Sequence, residues 1–411
     1  MSRIVITGIG AICGAGTDAG GIVETLLAGR SALVPITSFN AEQFQGCFAA
    51  EVPDYNGGKL LGDRKLLKLV RRSDVFGIYA GSQAIEQAGL PAWREALDEV
   101  AAAHYADQTG CYVGSGAGAF EVNYDYFPLM AETKNDLNAF GRELSNMVNP
   151  MWLLKSLPNN VLCHISIRHQ LKGPNGCITN HTSSGILSVI ESAWALREGD
   201  AERVVAVDLD RVGLIGKDSL RPFDQRHDGC LLGEGAASLV LETEASAQER
   251  GATILGEYLG GGDASEGEGL FCIRSDGDGL SRAIELALAD AQLTPADVGM
   301  IVAHGNGTQE SDASEAAAFL RVFGADMPPV TGFKWSAGHL FAASGLLDVA
   351  VGLEACRRKV VPGIATLERL AESCEGLNVS KQTRAPRSDV VLVVCRGFAG
   401  TNGALLLRAI A

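Results

Sequence analysis

Apolar and polar positions along the chain fall into two alternating textures. Short, continuous runs of β-branched and aliphatic residues read as buried strands. They are RIVITGIG near the start, then GCYVGSG, GCITN, RVVAVDLD, ASLVLE, GMIVAHG, PPVTGF, DVVLVVC and GALLLRAI. Longer stretches with helical spacing run from Ser73 to Ala88, Ser184 to Glu198, Gly279 to Ala291, Glu310 to Val322 and Ser344 to Arg358. Strands that are apolar throughout, separated by helices, indicate an α/β protein with mixed or parallel sheet covered on both faces.

Two of these helices open alike. SGILSVIESAWALREG (Ser184 to Gly199) and SGLLDVAVGLEACRRK (Ser344 to Lys359) share a Ser-Gly pair, two aliphatics and an apolar helix body. Each follows a polar turn holding a histidine, NHTS and GHLFAA. The pattern predicts a duplicated chain, with halves at 1–248 and 249–411 joined near ETEASAQERGATI. If the halves pack face to face, the two helix N-termini converge on one site.

Composition changes this picture little. A chain of 411 residues suits two domains or one duplicated unit. The net charge of −15 argues against nucleic acid or an anionic membrane as a partner. KLLGDRKLLKLVRR (Lys59 to Arg72) is the one dense basic stretch, readable as a docking face for an acidic protein or as a solvated amphipathic helix. The 10 cysteines form no CxxC pair, so no metal site is expected, and their apolar settings fit reduced thiols in a cytoplasmic compartment. No leader and no run long enough to span a bilayer is read. The glycine-rich stretches GSGAG and GGGDASEGEG are read as turns, without the context of a nucleotide site.

Candidate chemistry gathers at strand ends. GCITNHTSSG (Gly176 to Gly185) has the build of a nucleophile elbow, with Thr182 at the tip and a helix N-terminus behind it. AHGNGTQESD places His304 just after a strand, FKWSAGH carries Lys334 and His339, and RGFAGTNG surrounds Phe398 with glycines.

At these residues the chain resembles the β-ketoacyl-ACP synthases of the elongating class. The matching stretches run end to end: VITGIGAICGAG, GSGAGAFE, IRHQLKGPN, RPFDQRHDGCLLGEGAASLVLE, AHGNGT, KWSAGH with AASGLLD, and GFAGTNGALLL. The resemblance implies a thiolase-like duplicated fold, layered α-β-α-β-α, and a dimer. It implies an acyl carrier protein as partner, whose phosphopantetheine arm carries the substrate, with no other cofactor bound. His304 and His339 match the family's two histidines and Lys334 its active-site lysine. Asp348 matches a glutamate one methylene longer, and Asp312 the acid after the first histidine. Phe398 matches the gating phenylalanine. Backbone N–H groups of Thr182 and Phe398 match the oxyanion hole.

Several positions depart from the pattern. Thr182 stands where the family has its nucleophilic cysteine. A threonine hydroxyl is far less acidic than a thiol and needs an aligned base to attack a thioester. Cys177, five residues earlier on the opposite strand face, cannot easily replace it. Asn306 replaces a threonine beside the kept Thr308, both at carrier-arm positions. Arg396 occupies a usually apolar gate position, Ala399 a usual glycine, and His181 adjoins the elbow. The segment between AVDLD and RPFD is shorter than usual.

Three functions remain open. One is a chain-length-factor-type partner of an active, cysteine-bearing ketosynthase in fatty acid or polyketide elongation, aryl polyenes included. Another is a malonyl-carrier-protein decarboxylase supplying primers. The last is an acyltransferase or condensing enzyme with an unusual nucleophile. Homodimer and heterodimer are both compatible with the sequence.

Overall fold

The computed structural model describes residues 3–42, 47–116, 126–210, 218–269 and 272–411. The motif GSGAGAFE beyond Gly116 and the short link after Asp210 fall outside the described residues. Ten strands form one sheet: β1 (Ile4–Cys13), β2 (Thr109–Ser115), β3 (Asn175–Ile178), β4 (Arg203–Asp210), β5 (Gly235–Thr243), β6 (Gly256–Ser265), β7 (Met300–Val302), β8 (Val330–Thr331), β9 (Val390–Gly397) and β10 (Thr401–Ala409). Six helices position the site: α1 (Arg72–Gln87), α2 (Asn160–His169), α3 (Ser184–Glu198), α4 (Asp278–Ala291), α5 (Gln309–Phe323) and α6 (Ala343–Arg357).

The strand order is β8-β7-β9-β10-β6-β1-β5-β4-β2-β3. Reading outward from the centre, β1-β5-β4-β2-β3 and β6-β10-β9-β7-β8 are the same arrangement. In each half the first two pairings are antiparallel and the last two parallel. The halves join through a short antiparallel pairing of β1 with β6, from Ile4↔Tyr258 to Ile6↔Gly256. Helices α3 and α6 pack between the two halves and against each other, while α1 and α4 cover the outer faces. The result is the α-β-α-β-α layering of a duplicated fold.

Glycines make the outer layers fit. A Cβ at Gly10 would lie 1.9 Å from the Ala80 carbonyl oxygen of α1, and one at Gly262 would lie 2.4 Å from the Ala283 carbonyl oxygen of α4. Both halves use glycine at the same place, where the first strand passes beneath the first helix. GGGDASEGEG is therefore not simply turn sequence: Gly260 to Ser265 belong to β6, extended and glycine-rich because α4 lies directly on it. The middle layer uses the same device at the Ser-Gly repeats. A Cβ at Gly185 would stand 2.9 Å from the Leu346 Cβ, and one at Gly345 would stand 3.2 Å from Ile186. The two helices thus cross at their N-termini.

The basic stretch Lys59 to Arg72 is not one amphipathic helix. Gly62, at φ 66°, stops a short helix at Leu61, and a single turn follows at Leu66–Lys68. Arg71 then caps α1 through Asp74, and Arg72 pairs with Glu234 at 2.5 Å while lying over the Tyr55 ring. Lys59, Arg64, Lys65 and Lys68 stay exposed.

Among the described residues, no helix is long and apolar enough to cross a membrane, and no cluster of metal-ligating side chains is present.

Candidate active site

Four connections meet at one end of the two half-sheets. Thr182 sits in a single 3-10 turn between β3 and α3, and His304 follows β7. Lys334 and His339 lie between β8 and α6, and Phe398 lies in the tight turn between β9 and β10. A cavity of about 330 Å³ opens among them. Thr182, His304 and His339 line it, with Asn306 and Thr308 on one wall and Arg396 and Phe398 on another. The expected convergence of the two helix N-termini is thus realised.

The histidines are buried and face one another, ring centroids 5.2 Å apart. Nδ1 of His339 accepts the Phe341 backbone N–H at 2.9 Å, which leaves Nε2 to carry the proton of the neutral ring. Burial and the nearby Lys334 charge push the His339 pKa down to about 3. Burial, then Lys334, His339 and Arg396, hold His304 well below the ordinary histidine value. Both rings are therefore neutral near pH 7.

Lys334 does not line the cavity. Its Nζ lies 2.6 Å from Asp348 Oδ2, with both side chains almost wholly buried. Burial opposes the lysine's charge, but the Asp348 carboxylate outweighs it and raises the pKa. Lys334 thus acts on the cavity through its charge, from behind the histidines. Asp312 is likewise buried and out of the cavity. It accepts N–H bonds from Phe223 at 2.7 Å and Gly307 at 3.2 Å and meets His227 at 3.0 Å, so it braces the loop after His304.

Glu315 escaped the sequence reading. Its carboxylate accepts the backbone N–H groups of His304 at 2.6 Å and Gly305 at 2.9 Å. Burial pushes its pKa up to about 7 despite these donors. The available signal was its place one helical turn after Asp312, directly behind the HGNG turn.

The thiols next to the elbow are buried, whereas Cys272, which also lines the cavity, is exposed. Thr182 is buried, and its hydroxyl bonds to neither histidine among the described residues. Cys395 is the adjacent thiol, donating to the Thr182 carbonyl at 3.0 Å with its sulfur 3.9 Å from His304 Nδ1. It is wholly buried, which pushes its pKa far up and leaves it protonated. Cys230 on the cavity wall is pushed up to about 12, and Cys177 on β3 to about 11, both by burial.

Asn306 and Thr308 are tied to each other, the Asn306 carbonyl oxygen accepting both the Thr308 N–H at 3.0 Å and its hydroxyl at 2.8 Å. His181, at φ 44°, stands edge-on to Phe398 with centroids 5.7 Å apart. Arg396 is no free cation: it pairs with Glu266 at 2.9 Å, a partner the sequence did not suggest.

A duplicated five-layer fold whose two halves close over one such cavity is the thiolase-like fold of the ketosynthases. The family models agree: "Beta-ketoacyl synthase, N-terminal domain" matches residues 1–247, and "Beta-ketoacyl synthase, C-terminal domain" matches residues 255–368. The chain belongs to the β-ketoacyl synthase family, the ketosynthase-type family of fatty acid and polyketide elongation. It is 30% identical to the 3-oxoacyl-[acyl-carrier-protein] synthase 2 of Coxiella burnetii, over 99% of each chain. Among solved structures, the ishigamide ketosynthase/chain length factor is similar over 100% of both chains, at a TM-score of 0.86 and 26% identity. A type II polyketide ketosynthase in complex with its acyl-carrier protein shares the fold, with a TM-score of 0.82, 20% identity and 100% of both chains covered.

Proposed function

We propose that this chain is a ketosynthase-like subunit of fatty acid or polyketide elongation that works beside a cysteine-bearing ketosynthase, as chain length factors do. The observation that carries this reading is Thr182 at the elbow, with Cys395 and Cys230 beside it held protonated by burial. Condensation needs a thiolate that takes the acyl group and gives it back. An ester on Thr182 would be a poor donor, and among the described residues no base bonds to its hydroxyl. In this reading residues 1–248 supply the elbow and 249–411 the histidines, and the cavity receives the phosphopantetheine arm of an acyl carrier protein past Asn306 and Thr308. The exposed cations Lys59, Arg64, Lys65 and Lys68 suit an acidic carrier. Among the described residues β3 is an edge strand, which suits a dimer face, since Ile167 on α2 is 73% exposed and Trp194 on α3 is 59% exposed beside it.

The neutral histidine pair favours a second reading, decarboxylation of malonyl-carrier protein. His339 Nε2–H and one N–H of His304 would donate to the thioester oxygen as the carboxylate leaves as CO2. The carbanion then forms as an enolate held by those donors and by the N–H groups of Thr182 and Phe398, and it takes a proton from water at its terminal carbon to leave acetyl-carrier protein. Burial, with Lys334 behind it, keeps both rings neutral, so each donates one N–H without a full charge.

Two experiments separate the readings. Coexpression with a cysteine-bearing ketosynthase should yield a stable heterodimer; a homodimer that persists in its presence sinks the first. Purified chain alone with malonyl-carrier protein should release little acetyl-carrier protein; rapid release, abolished by His304→Ala, establishes the second instead. Thr182→Cys should restore an acyl adduct, read by intact mass, where the wild type gives none.

A further inference from the structure

The turn that carries Phe398 reaches out from the sheet, closed locally by the Thr401 hydroxyl donating to the Phe398 carbonyl at 3.1 Å. Phe398 is 41% exposed, and its ring lies against those of His181 and Phe341. Ala399 sits at φ 59°, ψ 24°, a left-handed conformation that a Cβ disfavours. A turn so built needs to be fastened from outside.

The fastening comes from the residue at its base. Arg396 is 6% exposed, and its guanidinium reaches three different segments. Nε donates to Asn402 Oδ1 at 3.0 Å, across the turn on β10. Nη1 donates to the Ser311 carbonyl at 3.2 Å, on α5 behind the His304 loop. Nη2 donates to Glu266 Oε1 at 2.9 Å, just beyond β6. Glu266 extends the connection: its backbone N–H donates to the Gly400 carbonyl at 2.9 Å, and its Oε2 accepts the Arg274 N–H at 2.9 Å. Asn402 Nδ2 also donates to the Gly400 carbonyl, at 2.9 Å. The far end of the turn is thus held by two residues that Arg396 itself holds.

We propose that Arg396 is a positioning residue: through Glu266, Asn402 and Ser311 it locks the turn of residues 397–400 and so sets where Phe398 and its backbone N–H stand over Thr182. The lock is directional, because a planar guanidinium satisfies a carboxylate, an amide and a carbonyl at once, which an ammonium cannot do in the same geometry. An apolar side chain here would leave the turn free to swing on its glycines, Gly397 and Gly400. The proposal rests on the reading of the Phe398 turn as the cover of an acyl-thioester site.

The test uses the full chain and two readouts. Hydrogen exchange is followed by mass spectrometry in peptides covering 397–402 and 262–269, with α1 as reference. Arg396→Met and Glu266→Gln should each speed exchange in those peptides about tenfold while α1 is unchanged, and Arg396→Lys should recover only part of the protection. Unchanged exchange in the 397–402 peptide overturns the lock. Acceleration spread equally through α1 overturns it too, since Arg396 would then hold the fold at large. The second readout is alkylation of Thr182→Cys by iodoacetamide, measured at that peptide. The added Arg396→Met or Glu266→Gln change should raise its rate about tenfold. Faster exchange without faster alkylation leaves the lock standing and overturns the reading of the turn as a cover.

Discussion

The two halves of the fold make the same connection in different ways. In the first, residues 179–183 lead from β3 to α3 through a tight turn without a carboxylate, lysine or arginine, Thr182–Ser183 followed by the Ser184 helix start. In the second, residues 332–342 lead from β8 to α6, and the longer path brings in Lys334 and His339. Around the cavity the second half supplies Lys334–Asp348, Asp312, Glu315 and Arg396–Glu266, while the first half supplies Asp208, buried beside Gly185 at the start of α3. The first half presents the position where a nucleophile would stand, and the second sets the field around it.

The largest expected effect breaks the charged side of this comparison. Lys334→Ala strands Asp348 in the interior and should cost about 3–5 kcal/mol in denaturant unfolding. Replacing both partners together, as Lys334→Met with Asp348→Leu, should recover most of that loss; a double variant as unstable as the single one would show that the lysine's packing, not its charge, matters.

Glu315 adds a pH signature to the same half. Its folded pKa is raised, to about 7. The protonated form is therefore favoured in the folded chain, and its contribution is full below the unfolded value and lost as pH rises through 7. Glu315→Gln should flatten the decline in stability between about pH 4.5 and 7.5, a difference on the order of 3 kcal/mol. Parallel stability–pH curves for wild type and variant would refute the assignment.

The equivalence of the halves is testable at their glycines. Gly10→Ala and Gly262→Ala both drive a methyl group into a helix carbonyl. Each should cost roughly 1–3 kcal/mol by forcing strand and helix apart. A neutral outcome at one position and a costly one at the other, by thermal melting, would break the structural equivalence. Ala399→Gly should stabilise by about 1 kcal/mol, because it removes the left-handed strain of a Cβ. The smallest effect belongs to the elbow: Thr182→Ser should change stability by less than about 1 kcal/mol, the mark of a turn without a carboxylate, lysine or arginine.

Much of the scaffold is legible from local pattern. The five expected helices lie within one residue of their observed bounds, because α1, α4 and α5 carry an apolar face, α3 and α6 are apolar nearly all round, and each has a polar or glycine boundary. β6 was missed because its glycines look like turn sequence, although a helix carbonyl a few ångströms away is what requires them. The helix Ala19–Leu27 was missed because two glycines hide its period, while Asp18 caps it by accepting the Gly21 N–H. At the site, Thr182, His304, His339 and Phe398 were marked by their turns. Glu315 and Glu266 were not, because their partners are a backbone N–H pair behind His304 and a guanidinium 130 positions away.

By itself the sequence determined the alternation of strand and helix, the internal repeat, and the threonine at the elbow. Those are properties of residue type and spacing, and they are written along the chain. Only the tertiary structure decided which groups are charged and which are held. The histidines are neutral because burial and Lys334 make them so, Cys395 and Cys230 stay protonated because burial raises their pKa, and Arg396 is engaged because a distant strand delivers Glu266 to it. Solvation and charge pairing depend on what surrounds a group in space, and that is set when the two halves close on each other.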